Sequence, residues 1–117
     1  MAGTLSRAEY IDLPVGCVKR ALGVHIETLS GNITLDETYP NLCKFDPAGA
    51  RDVTLDTEAT AVGLVREIVN AADAAEAITV KDAATDTIGT ISQNEKARFY
   101  CDGTDWVLID ITTIALS

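Results

Sequence analysis

His25 is the one histidine in this 117-residue chain. A Ser–His–Asp or Cys–His arrangement would have to use it. No Gly-x-Ser-x-Gly elbow accompanies it, and a single histidine in a strand is far more often structural than catalytic. The three cysteines, Cys17, Cys43 and Cys101, are odd in number and far apart. They form no Cys-x-x-Cys pair and no Cys/His metal spacing. They read as buried thiols of a protein made in a reducing cytoplasm. The sharper alternative pairs one of them across a subunit boundary after release into an oxidising medium. Asp36, Asp46, Asp52, Asp56, Asp82, Asp86, Asp102 and Asp105 flank apolar segments and miss the spacing of a calcium loop, so they read as turn formers. No phosphate-cradling glycine loop is present. Trp106 and Tyr100 could offer a stacking platform for a sugar, but with so few aromatics packing is the favoured use. The expectation is therefore no enzyme, no cofactor and no metal site.

The elements that would position these residues are strands. Val65–Ile111 breaks into apolar runs at Leu64–Val69, Ala77–Val80, Thr87–Ile91, Ala97–Cys101 and Trp106–Ile111, separated by polar turns. Ala97, Phe99 and Cys101 alternate with Arg98 and Tyr100, the period of a half-buried strand. Asp102-Gly103 then supplies residues that tolerate the positive φ of a tight hairpin. Earlier in the chain, His25–Ser30, Ile33–Leu35, Leu42–Phe45 and Val53–Leu55 read as strands, with turns at Gly31-Asn32 and Asp46–Gly49. Gly89, inside its strand, marks a bulge or a close backbone approach. Residues 58–77 also satisfy a helical period. The strand is preferred because Gly63 interrupts its start and Asn70 offers a stop, with a helix packed on a sheet as the alternative. Trp106–Ile111 is apolar on both faces, which places it either centrally or against another chain. The fold expected is all-β: a small antiparallel β-sandwich or barrel, jelly-roll-like, with an extended N-terminal arm and room for a single short helix. The arm is placed at residues 1–24 and one β domain at 25–117.

Composition narrows the partners. The chain is 47% apolar and carries a net charge of −9. All of that excess falls after residue 35, an acidic body ill suited to a phosphate backbone, so no nucleic acid is expected. No secretory signal pattern and no apolar run long enough to cross a bilayer is expected either. The arm holds Leu5, Tyr10, Ile11, Leu13 and Val15, more apolar groups than water tolerates without a partner. Ile111, Ile114 and Leu116 keep the far end apolar as well. These eight residues are the expected partner contacts.

The order of segments adds a resemblance. NITLD (from Asn32), DPAGARDVTL (Asp46–Leu55), IVNAADAAEAITVKD (Ile68–Asp82), QNE (Gln93–Glu95) and CDGTDW (Cys101–Trp106) together resemble a β-rich module of tailed-bacteriophage structural proteins. The likeness spans about Asn32–Leu108, and the arm lies outside it. In size and acidity the chain is most similar to capsid decoration, or cement, proteins. That resemblance implies a homotrimer on the outside of the head, with the major capsid protein as partner. The virion would be its location and the host bacterial cytoplasm its place of synthesis. A receptor- or glycan-binding module of a tail or fibre is the alternative.

Overall fold

In the computed structural model, residues 22–116 are described. Among them nine strands appear in chain order: β1 (Val24–Leu29), β2 (Ile33–Thr34), β3 (Leu42–Pro47), β4 (Arg51–Thr54), β5 (Val65–Asn70), β6 (Ile78–Lys81), β7 (Thr87–Ile91), β8 (Glu95–Cys101) and β9 (Trp106–Thr113). The only helical turn among the described residues is the 3₁₀ segment Glu58–Thr60. The helical reading of 58–77 therefore fails over most of its length, and Val65–Asn70 is a strand as preferred. Its inward positions, Arg66, Ile68 and Asn70, are buried while Val65, Glu67 and Val69 are open to varying degrees, a period of two rather than 3.6.

The strands form two mixed sheets, ordered β1-β3-β5-β8-β9 and β2-β4-β6-β7. The antiparallel expectation is corrected here. β1, β3 and β5 pair in parallel, as do β2, β4 and β6, and only β5/β8, β8/β9 and β6/β7 are antiparallel. The chain passes three times from the first sheet to the second, each pass stacked on the one before, as coils stack in a β-solenoid. It then reverses, and β7, β8 and β9 finish the two sheets.

The reason lies in the turns. Gly31-Asn32 and the segment after Pro47 are corners between sheets, not hairpins within one. Side chains clamp these corners to each other. Asn32 Oδ1 accepts the Asp52 backbone N–H at 2.8 Å. Arg51 donates from Nε to the Leu29 carbonyl and from Nη2 to that of Ala48. At the third corner Asn70, fully buried, donates to the carbonyls of Glu76 and Ile91 and accepts from the Ala72 N–H.

The inward side chains of both sheets meet in one apolar core. Phe45, Ile68, Ala97 and Phe99 come from the first sheet, and Val53, Ile78, Val80 and Ile91 from the second. Gly89 lies where the two layers approach: a Cβ there would sit 3.5 Å from Leu108 and 3.7 Å from Phe99. The β6/β7 register also shifts beside it, so a bulge and a close approach coincide. No helix among the described residues is long and apolar enough to cross a membrane.

Candidate interaction surface

His25, Cys43 and Cys101, the described histidine and thiols, are each engaged by neighbouring groups. His25 and Cys43 are paired in register on neighbouring strands, the one place among the described residues where a Cys–His couple could form. Yet His25 Nε2 bonds Glu27 Oε1 at 2.8 Å, and the ring packs edge-on against Tyr39. The Cys43 thiol donates instead to the Pro40 carbonyl. Burial pushes that thiol up to about 11, so it stays protonated and is no nucleophile near neutrality. Cys101 is buried too, its thiol also pushed up by burial. Cys17 lies outside the described residues. No cluster of metal-ligating side chains exists among the described residues. A depression lined by Ala75, Glu76, Ala77, Ser92 and Gln93 measures about 210 Å³, below the usual size of a ligand pocket, and holds one titratable group.

The strongest polar constellation is internal. Arg66 and Asp56 are 0% and 2% exposed, and all five guanidinium N–H groups are used. Nε and Nη2 reach the two Asp56 oxygens at 2.8 and 2.9 Å, a two-pronged pair. The remaining donors take the backbone carbonyls of Asp36, Tyr39 and Pro40, which pins the loop between β2 and β3. The Trp106 indole N–H donates to the Asp56 carbonyl at 2.8 Å. Trp106 is therefore a core residue, unavailable as a stacking surface, while Tyr100 alone of that pair is exposed. Sequence reasoning missed Arg66 and read Asp56 as a turn former. The available signal was a charge at an inward position of an apolar strand, which needs a buried partner.

Part of the exposed surface is apolar. β9 is an edge strand of the first sheet, so the central placement of Trp106–Ile111 is excluded. Trp106 and Leu108 belong to the core; past the register shift, Ile111 falls on their side of the sheet opposite Ala97 but beyond the core, and Ile109 and Ile111 are 45% and 38% exposed. Ile114 is half-buried, its N–H bonded to the Asn94 carbonyl, and Leu116 is exposed. Leu5, Tyr10, Ile11, Leu13 and Val15 lie outside the described residues. At the opposite edge β1 turns Val24 and Ile26 outward, 46% and 68% exposed. Between the two edges runs a charged ladder. Lys96 bonds Glu67 at 2.6 Å and Arg98 bonds Asp110 at 3.0 Å, the latter contact holding the Asp110 carboxyl below its ordinary value. The charges on this face are thus largely paired, and its edges are greasy.

Comparison with known proteins found no matching family model, no matching curated protein and no matching solved structure.

Proposed function

We propose that this chain is a structural virion protein: a capsid decoration protein that binds the outside of a phage head and stabilises it through protein–protein contacts. The observation that carries the reading is β9, a sheet-edge strand with the apolar side chains of Ile109 and Ile111 exposed. Such a strand is stable in water when another chain covers it. The segments from Asn32 to Leu108 that resemble phage structural modules support the same reading. The two sheets act as the layers of a small sandwich, a closure to which their shared core lends support. In this reading Leu5, Tyr10, Ile11, Leu13 and Val15, together with Ile111, Ile114 and Leu116, make the contacts to neighbouring subunits and to the major capsid protein. The assembly unit is a homo-oligomer, a trimer by the resemblance, resident on the capsid surface. No catalysis is assigned to it.

The alternative, a receptor- or glycan-binding module of a tail or fibre, has less to stand on, because Trp106 is buried and Tyr100 has no aromatic partner among the described residues. Imaging of particles with and without the protein tests the choice. Added density over the head at many lattice positions is expected. Density confined to the tail would overturn the decoration reading.

A further inference from the structure

The first sheet has two open edges among the described residues, β1 on one side and β9 on the other. β9 runs antiparallel to β8, and β8 antiparallel to β5, so β9 points the same way as β1, β3 and β5. Folded proteins guard such edges with lysine, proline, inward-pointing charge or short length. β9 has eight residues, no lysine and no proline, and its single charge, Asp110, is tied back to Arg98. The one guard is the irregular register opposite Arg98 and Phe99, and Ile109 beside it is still exposed. β1 carries Glu27 at an inward position, bonded to His25, while Val24, Ile26 and Thr28 on its outward side are uncharged. Copies of a chain with net charge −9 repel each other. A seam of Val24 and Ile26 against Val107 and Ile109 sets uncharged side chains against uncharged side chains, so two copies approach there without opposing their acidic groups directly.

We propose that β9 of one copy adds in parallel to β1 of the next, so that the first sheet continues from copy to copy. The contact is head-to-tail. Repeated by rotation about an axis roughly along the strands, it closes a ring. One contact then covers both edges of every copy. A two-fold pairing of β9 with β9 would instead run antiparallel and leave β1 open. This inference rests on the reading of the chain as an assembly protein.

The test uses the full chain with Cys17→Ser, in which the described thiols are 0% and 1% exposed. Ile26→Cys and Ile109→Cys are added singly and together, and each protein is treated with a short thiol-to-thiol cross-linker. Light scattering gives the mass beforehand. A covalent series that ends at one closed size, in the double variant only, is the expected result. Ile109→Lys is expected to shift the oligomer to monomer. Cross-linking of Ile109→Cys alone to a dimer would overturn the head-to-tail seam in favour of the two-fold one. An oligomer whose double variant does not cross-link would overturn the seam and leave assembly standing. A monomer that still decorates shells would overturn the seam alone, and one that does not would overturn both.

Discussion

Replacing Arg66 with methionine removes a guanidinium but keeps most of its apolar volume. In the wild type that group meets the Asp56 carboxylate with two hydrogen bonds, and both side chains are almost completely buried. The variant strands a carboxylate without its counter-charge and takes donors from three loop carbonyls. Breaking a buried pair on one side costs about 3–5 kcal/mol. A domain of this size has about 5–15 kcal/mol in total, so the loss is a large share of it. At roughly 4–8 °C per kcal/mol, Tm falls by more than about 10 °C. Urea unfolding is the assay, and Trp106, the only tryptophan, reports it from beside the pair. The double variant Arg66→Met with Asp56→Leu removes both charges and is expected to recover at least about 1 kcal/mol of the single variant's loss. A single variant within about 1 kcal/mol of wild type would refute the reasoning. So would a double variant no more stable than the single.

Four further outcomes follow from the same structure. Phe99→Ala empties a fully buried site between the sheets and should cost about 3–5 kcal/mol by urea unfolding. Gly103 has φ +99°, and a Cβ there would meet Val62 at 3.0 Å, so Gly103→Ala should destabilise by about 1–2 kcal/mol, whereas an unchanged midpoint would show the hairpin relaxing freely. The Cys43 thiol ionises near 9.0 when unfolded and about 11 when folded, so its contribution is complete below pH 9 and lost as pH rises through 11. At about 1.4 kcal/mol per pH unit, Cys43→Ala should flatten the alkaline fall in stability by roughly 2–3 kcal/mol. Asp102 and Asp110 are held below 3.8 by hydrogen bonds from the hairpin backbone and from Arg98 respectively. Their stabilisation is present above that value and lost as pH falls through the lower folded ones, so the unfolding midpoint should drop below pH 4 and drop less in Asp102→Asn.

Strand positions were legible because alternation and turn chemistry are local. Ala97, Phe99 and Cys101 are buried and Arg98 and Tyr100 exposed, as their spacing implied, and Asp102 Oδ1 accepts the Thr104 and Asp105 N–H groups in the turn that follows. Pairing was not legible, because parallel partners lie in different passes of the chain. Val24 stacks on Leu42 and Leu42 on Glu67, steps too unequal to read as a repeat. Gly31-Asn32 and Pro47–Gly49 show that the chain bends, but nothing in them says whether it returns to the same sheet or crosses to the other. The same locality hid Arg66 and Asp56, whose union is made only when β5 and the segment after β4 come together. The apolar run of β9 was visible in sequence, but the register shift that moves Ile111 to the side of Trp106 and Leu108, and the strand's position at an edge, were not.

As proposed, this acidic β unit serves to join other proteins. Sedimentation equilibrium of the full chain over a concentration series tests it most directly. A mass that is a whole multiple of 12.4 kDa, and that falls to the single chain when Ile109 becomes lysine, is the predicted result. A mass of one chain at every concentration, unchanged by that substitution, would contradict it.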